Sequence, residues 1–117
     1  MKTLYLVQFE HKETKKIFCK FGITGWDTKY RFDHKMYPED RHRYEEFNIT
    51  ELFSIRSDRA IMHEKTLQNL FPKNFSLEEY LDKPYNHYRS GFTGITETVI
   101  LSKDDISDAI LLMKEMI

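Results

Sequence analysis

Cysteine is almost missing from this chain, and its scarcity limits both the chemistry and the covalent structure that the chain can have. The 117 residues include one cysteine, Cys19. The chain can therefore form neither an intrachain disulfide nor a zinc site of paired cysteines. A single thiol is typical of proteins that work in a reducing compartment. We expect a cytoplasmic protein that is held together by packing rather than by cross-links.

Long apolar runs and an excess of charge of one sign are missing too. No stretch approaches the ~20 apolar residues of a membrane helix, and no secretory hydrophobic segment follows Met1. The formal net charge is −1 and there is no polybasic tail. A nucleic-acid-binding protein of this balance needs a local basic face, and the lysines and arginines do concentrate in the first half. The sequence predicts no membrane partner.

Aromatic and charged residues are plentiful instead. Hydrophobic residues make up 40% of the chain and charged residues 32%, with nine Phe and seven Tyr. This balance favours a folded globular domain over disorder. The length suits one domain with one core, so we expect residues 1–117 to form a single domain. Its core should contain a few large aromatic side chains.

Alternating apolar residues predict four strands. Two lie near the start of the chain, at 3–9 and 16–21, and two more at 46–55 and 97–101. The first strand is apolar on both faces and should be central in its sheet. The third is expected to alternate throughout, with one face formed by Phe47, Ile49, Glu51, Phe53 and Ile55.

Apolar residues at helical spacing predict helices between and after these strands. One helix runs to about Tyr37 and stops before Pro38. A second spans about 58–70, and a third follows Ser102, which resembles a capping box with Asp105. The second helix is capped by Ser57 or Asp58, and its inward stripe is expected to contain Ala60, Glu64, Leu67, Leu70 and Phe71.

The predicted elements follow the order β-β-α-β-α-loop-β-α. This order indicates a small α/β (α+β) sandwich with a mixed or antiparallel sheet flanked by helices. Residues 77–81 favour one or two helical turns, and residues 84–94 favour an irregular loop.

The residues after Cys19 predict the end of a strand, then a glycine turn and then a basic helix. Gly22 and Gly25 are expected to bracket the turn, because glycine accepts the positive φ angles that turns need. On the helix that follows, Arg31, His34 and Lys35 are three and four residues apart and share one face.

Glu64 is a lone carboxylate on the apolar stripe of the second helix, and two explanations are open. It lies at the rim or pairs with an arginine such as Arg31 or Arg59, since burying an unpaired charge is costly. Alternatively it binds a divalent cation, because Mg²⁺ is often held by one carboxylate together with waters and a substrate phosphate.

Four short motifs, in order along the chain, resemble those of the GIY-YIG endonuclease superfamily. Thr3-Leu4-Tyr5 occupies the place of GIY and keeps the tyrosine, while Lys20-Phe21-Gly22 occupies the place of YIG and keeps the glycine. Arg31 matches the arginine of the following helix, and Glu64 matches the metal-binding glutamate. The sequence Lys-Phe-Gly-Ile-Thr is most similar to a phage and bacterial subgroup with Lys-Ile-Gly-Ile-Thr at this place. Each motif is short, but the ordered set spans most of the chain.

Two positions depart from the superfamily pattern. Thr3 replaces the glycine of GIY, and Lys20 replaces the tyrosine of YIG. The subgroup accepts lysine there, but a lysine has no phenol, so its role would be electrostatic. Lys35 stands one turn after the arginine, with His34 beside it, and either would assist proton transfer or phosphate binding.

The resemblance implies a metal-dependent endonuclease that hydrolyses phosphodiester bonds, with DNA as the expected substrate and Mg²⁺ or Mn²⁺ as cofactor. Tyr5 would lie near the attacking water as base or orienter. Arg31 and Lys20 would bind phosphate oxygens as negative charge develops. Glu64 would carry the metal, which stabilises the leaving group.

Basic residues mixed with aromatic ones suggest where nucleic acid would bind. Such side chains suit phosphate contact and base stacking, although a solvated surface has the same composition. They occur on the first helix and in the loops at 39–45 and 84–96. The candidates are His34, Arg41, Arg43, Tyr88 and Arg89.

Other interpretations of the same residues remain open. Tyr5 is also consistent with a core aromatic and Lys20 with a lysine that extends outward to solvent. A second hypothesis is a nuclease-derived module that binds nucleic acid or a protein without cutting, and a homodimer is also compatible. A third is a plain interaction or structural protein in which the motif matches are accidental, and it predicts that Tyr5, Arg31 and Glu64 do not converge in space.

Overall fold

A computed structural model describes residues 1–25, 45–82 and 98–116 of the chain. Within these ranges the strands are β1 (Lys2–His11), β2 (Ile17–Thr24), β3 (Phe47–Ser57) and β4 (Thr98–Val99). The helices there are α1 (Ala60–Leu70), α2 (Leu77–Leu81) and α3 (Lys103–Glu115).

The four strands form one antiparallel sheet in the order β3-β1-β2-β4. β1 and β2 are joined as a hairpin, and β3 returns along the other side of β1. The α+β fold predicted from the sequence is confirmed, and so is the central position of β1. A strand that is apolar on both faces removes the most hydrophobic surface from water when both of its faces are covered.

Each face of the sheet carries its own apolar core. The upper face includes Tyr5, Val7 and Phe9 of β1 and is covered by α2 through Leu77 and Leu81. The rings of Phe9 and Phe18 stack there with centroids 5.0 Å apart. On the lower face the residues in contact are Leu4, Leu6, Cys19, Phe21, Ala60, Leu67, Val99, Ala109 and Met113. α1 and α3 therefore pack on the lower face.

β3 changes face in the middle, which the sequence pattern did not predict. Val7 pairs with Glu51 whereas Leu6 pairs with Phe53, so Leu52 is an extra residue at a β-bulge. Because side chains alternate along a strand, one extra residue reverses which face they point to. Phe47 and Ile49 consequently join the upper core and Phe53 and Ile55 the lower one. The prediction that all five alternating residues share one face was wrong.

The start and outer face of α1 also differ from prediction. The helix begins at Ala60, and Arg59 at the N-cap position makes no side-chain capping bond. Ser57 instead accepts a hydrogen bond from the Arg59 backbone N–H at 3.1 Å through Oγ. Leu70, which was expected inside, is more than half exposed. The capping box before α3 is present as predicted, with Ser102 and Asp105 as its two members.

Two side chains take the place of strand partners at the outer edge of β2 and β4. The Tyr80 hydroxyl donates to the Ile17 carbonyl at 3.1 Å and accepts from the Ile17 N–H at 3.3 Å. The Asn74 amide likewise donates to the Ile100 carbonyl at 2.9 Å and accepts from its N–H at 3.0 Å. Edge strands leave such groups open to water or to another chain. The bonding of Ile100 to a side chain fits the end of β4 at Val99, earlier than predicted.

Some predicted elements lie outside the described residues. They are the first helix, which was expected to end near Tyr37, most of the loop at 39–45 and the whole loop at 84–96. Across the ranges that the structure does describe, no helix is long and apolar enough to cross a membrane.

Candidate active site

The hairpin of β1 and β2 brings Tyr5 and Lys20 together. Tyr5 pairs with Gly22 and Val7 pairs with Lys20, so both side chains lie on the upper face. The Lys20 Nζ is 5.7 Å from the centroid of the Tyr5 ring. An ammonium group at this distance is attracted by the negative face of the aromatic ring. The two motif positions nearest the start of the chain thus meet in space.

Gly22 is required at its place because of Tyr5. It lies within β2, directly across from Tyr5, and not in a turn as predicted. A methyl group on its Cα would overlap the Tyr5 hydroxyl and Cζ and would lie 2.8 Å from Cε1. The glycine is therefore explained by the close approach of a ring rather than by backbone conformation.

Lys20 is a buried cation, with 4% of its surface exposed. Its Nζ donates to the carbonyl oxygen of Phe21 at 3.3 Å. Burying an ammonium group is costly unless hydrogen bonds and nearby charges or rings compensate for lost water. The carbonyl and the Tyr5 ring supply part of that compensation. The side-chain nitrogen of a lysine held this way has a fixed position, unlike that of a surface lysine that extends into water.

Buried threonines surround this pair, and sequence reasoning missed them. Thr98 pairs directly with Lys20 across β2 and β4, and Thr24 pairs with Thr3 at the end of the hairpin. All three hydroxyl-bearing residues are buried on the same face. The two-residue spacing from Lys20 through Gly22 to Thr24 predicts the placement of Thr24. The position of Thr98 depends on a strand of two residues, too short to give a usable pattern.

Glu64 is carried by α1, on the other side of the sheet. The helix packs through Ala60 and Leu67 against the lower face, and Glu64 itself is half-buried. Of the three predicted site residues in the described ranges, the structure brings Tyr5 and Lys20 together. It places the helix of Glu64 across the sheet from them, which for Tyr5 and Glu64 is the outcome that the third hypothesis, accidental motif matches, predicts. The remaining predicted residues, Arg31, His34, Lys35, Arg41, Arg43, Tyr88 and Arg89, lie outside the described residues.

A metal at Glu64 would depend on few protein ligands. In the described ranges no group of three or more His, Cys, Asp or Glu residues is placed to hold a metal ion. Mg²⁺ accepts such a site, because it keeps several waters and commonly binds one or two carboxylates together with substrate phosphate. A half-buried glutamate therefore fits Mg²⁺ or Mn²⁺, but not a cation that needs a complete protein shell.

Two further polar residues have structural contacts that explain them. His63, next to Glu64, has its Nδ1 3.3 Å from the Ser57 Oγ at the start of α1. Asn74 holds the Ile100 backbone with its side-chain amide. Both fix the path of the chain rather than face Tyr5 and Lys20.

In the described residues, the candidate site thus consists of Tyr5 and Lys20 on the upper face, with three buried threonines on the same strands and on β4 beside them. Comparison with protein-family models, with curated proteins and with solved structures finds no match to this chain.

Proposed function

We propose that the chain is a metal-dependent endonuclease of the GIY-YIG type that hydrolyses phosphodiester bonds in DNA. The observation that carries the proposal is the meeting of Tyr5 and Lys20 on one face, over a glycine that has to lack a side chain. These are three of the motif positions on which the resemblance depends. A cytoplasmic location fits the proposal, because that is where such an enzyme would meet DNA in a bacterial host.

The chemistry assigned to each residue follows from its functional group. Hydrolysis needs a positioned water and positive charge near the oxygens of the pentacoordinate phosphate. The Tyr5 hydroxyl would orient the water, and the Lys20 ammonium group would offset the charge that develops on the phosphate. Arg31 would add a bidentate contact to phosphate oxygens. Glu64 would hold Mg²⁺ or Mn²⁺, which when bound supplies positive charge for the leaving oxygen.

A plasmid-nicking assay tests the enzyme hypothesis. Purified protein is incubated with supercoiled DNA and with structured RNA, in Mg²⁺, in Mn²⁺ and in EDTA. We expect nicking of DNA in either metal and none in EDTA. Glu64→Ala and Tyr5→Phe should each lower the rate about 100-fold or more, the usual effect of losing one electrostatic or proton-transfer group. Tyr5→Phe keeps the ring over Gly22, so a loss of rate with unchanged stability would concern the hydroxyl.

Glu79→Ala is the matched control, since this glutamate is exposed on α2 and should leave the rate unchanged. Nicking that persists in EDTA, or that survives Glu64→Ala at the wild-type rate, would contradict the proposal.

A second candidate function is binding of nucleic acid or of a protein without cleavage. Tyr5 and Lys20 are only 1% and 4% exposed, and the helix of Glu64 packs on the opposite face. Both facts favour a structural use of the motif residues in a nuclease-derived module. Fluorescence anisotropy with labelled DNA and RNA measures this. Binding that weakens steeply with salt, with no product in Mg²⁺ or Mn²⁺, would support the module over the enzyme.

A further inference from the structure

Exposed apolar side chains gather at the start of α1, beside the first residues of β1. Six large hydrophobic side chains are exposed in the described ranges, and three of them, Met1, Ile61 and Met62, line one depression of about 810 Å³. Each of the three is more than half exposed. Apolar surface that is clustered in this way marks a binding site, whereas single exposed residues do not.

Two segments that are far apart in the sequence form this depression. Lys2 pairs with Ser57, the last residue of β3, and α1 begins three residues after it. Because Lys2 is two residues before Leu4, which lies in the lower core, its side chain is on the face that α1 covers. The Arg56 Nη2 donates to the Met1 carbonyl at 3.0 Å. The sheet therefore sets the position of the Met1 backbone beside the start of the helix.

The helix contributes one side of its surface to the depression. At 100° per residue, Ile61, Met62 and Lys65 lie within an arc of about 100° around the axis of α1. All three side chains are exposed. The arc is opposite Leu67, which is buried in the lower core. One ligand can therefore contact the three side chains together.

The rim of the depression is basic. We name as the α1 groove Met1, Lys2, Arg59, Ile61, Met62 and Lys65. Among the described residues that line the depression, Asp58 is the one carboxylate, against three cations. In the part of the chain that the structure describes, none of these three cations forms a salt bridge. The α1 groove therefore has an excess of positive charge beside its apolar walls.

Charge and apolar surface together define the ligand that fits. An apolar pocket of about 300–1,000 Å³ with a few charged groups is the usual form of a small-molecule site. A small inorganic anion would leave the apolar side chains uncovered, and a neutral hydrocarbon would leave the cations without a partner. Three cations against one carboxylate suit a phosphate head with two negative charges, because ammonium and guanidinium groups form charge-assisted hydrogen bonds to phosphate oxygens.

We propose that the α1 groove binds one molecule of an amphipathic anion, a phosphate monoester with an alkyl tail. Lys2 and Arg59 contact the phosphate oxygens at the rim. Ile61 and Met62 cover the tail, and the flexible methionine side chain adapts to the shape of the tail. The apolar stem of Lys65 packs along the tail while its ammonium group stays in water.

The α1 groove does not overlap the candidate active site. Tyr5 and Lys20 lie on the upper face of the sheet, whereas α1 packs on the lower face. Glu64 does not line the depression. The proposal is therefore independent of the endonuclease proposal, and binding measured in EDTA tests it separately.

Isothermal titration calorimetry with simple probes tests the head and the tail of the ligand. The titrants are octyl phosphate, octylammonium, 1-octanol and inorganic phosphate, each below the concentration at which it forms micelles. We expect octyl phosphate to bind and the other three to bind at least tenfold more weakly. Decyl phosphate should bind more tightly than octyl phosphate, because a longer tail buries more hydrocarbon.

Variants of the α1 groove test which residues bind the probe. The combination of Lys2→Gln with Arg59→Gln removes two positive charges and should weaken the binding of octyl phosphate about tenfold or more. Ile61→Ser should weaken it to a similar degree, because the tail loses part of its apolar cover. All three side chains are exposed, so the variants should fold, which circular dichroism checks.

Matched controls remove the same groups elsewhere. Lys12→Gln combined with Lys103→Gln removes two positive charges, and Leu111→Ser removes an exposed apolar side chain. These residues are exposed and lie outside the α1 groove. Both controls should bind octyl phosphate as tightly as the wild-type chain.

Methionine methyl groups report where the probe binds. The chain contains five methionines, whose carbon-13-labelled methyl signals are assigned by replacing the internal methionines one at a time with leucine. Octyl phosphate should shift the signals of Met1 and Met62, which line the depression. It should leave unchanged the signal of Met113, which is buried in the lower core.

Octylammonium or inorganic phosphate that binds as tightly as octyl phosphate would overturn the proposal. Equal losses of affinity in the controls and in the α1 groove variants would contradict it too, as would signal shifts confined to Met113. Binding to vesicles that contain phosphatidate, without binding to monomeric octyl phosphate, would mean that the surface recognises a membrane and not a single molecule.

Discussion

Tyr5 and Gly22 fit each other so closely that neither can be understood alone. The ring of Tyr5 lies against the backbone of the opposite strand, at the one residue type that leaves room for it. From the sequence, Gly22 was recognisable as a special position but was assigned to a turn, since a turn is the commonest reason for glycine. The actual reason depends on which residue stands across the sheet, which the local sequence does not contain.

Adding one methyl group at position 22 should destabilise the protein. We expect Gly22→Ala to lower the free energy of unfolding by about 2 kcal/mol, a usual effect of overpacking a core, as measured by urea denaturation. Gly25→Ala is the matched control, because a Cβ there meets nothing within 4 Å. The loss of unfolding free energy caused by Gly22→Ala should be smaller when Tyr5 is also replaced by leucine. Equal losses at both glycines would contradict the proposed contact.

Cys19 should be chemically silent in the folded protein. Burial raises the pKa of its thiol from 9.0 to about 12, and the thiolate is the reactive form. We expect no reaction with a disulfide reagent at pH 8 until the chain is unfolded. A variant combining Cys19→Ala with Asn69→Cys, which has its thiol on the exposed side of α1, should react at once. Rapid labelling of native Cys19 would show that the sheet opens readily.

The same thiol gives the stability a pH dependence of known sign. The folded state holds the proton up to about pH 12, while the unfolded chain releases it from about pH 9. The contribution of Cys19 is therefore complete below pH 9 and is lost as the pH rises toward 12. The loss approaches about 1.4 kcal/mol per pH unit. Cys19→Ala should remove this part of the alkaline slope, measured by urea denaturation at several pH values.

At the scale of elements, most strands and helices were predictable and the irregularities were not. Apolar residues at helical spacing, Ala109 and Met113 among them, identified α3, and alternation identified β1 and β2. The bulge at Leu52 escaped prediction because either register of β3 presents apolar residues to a core. The register of β3 is decided by the presence of an apolar core on each face of the sheet. Phe47 packs in the upper core and Phe53 packs against the lower one.

The candidate site was predictable to a similar degree. The pairing of Tyr5 with Lys20 follows from a short hairpin, in which register is local. The side of the sheet on which Glu64 would lie was not predictable. That side depends on the direction in which the chain leaves β3. The apolar stripe of α1 indicates that one face of the helix is buried, but it does not indicate which side of the sheet the helix packs against.

Asn74 stabilises the end of the sheet through two backbone hydrogen bonds to Ile100. We expect Asn74→Ala to cost about 1 kcal/mol, because the bonds are exposed to water that can replace them in part. Asn74→Asp keeps the acceptor and loses the donor, so its loss should be intermediate. Asn69→Ala on α1 is the control and should be neutral. Chemical denaturation gives the values, and amide hydrogen exchange at Ile100 should speed up only in the Asn74 variants.

At the scale of the whole molecule, β1 joins the two cores into one folding unit. Leu6 and Val7 are adjacent, yet one is buried in the lower core and the other in the upper core. Neither layer can lose its packing without disturbing the strand that it shares with the other.

We therefore expect a single cooperative unfolding transition. Near-ultraviolet and far-ultraviolet circular dichroism should give coincident melting curves. Leu6→Ala should lower the free energy of unfolding by about 3 kcal/mol, and Val7→Ala by a smaller amount because fewer atoms are removed. In both variants the curves should remain coincident. Separate transitions for the two signals would mean that the layers melt independently.

The extra residue in β3 has a consequence for recognising kinship. A distant relative with a regular third strand would carry its apolar pattern one position out of phase beyond Glu51. An ungapped alignment would then match buried positions with solvent-facing ones over the rest of the strand. Placing a gap opposite Leu52 brings the two patterns back into agreement, and a structure-guided alignment would put it there.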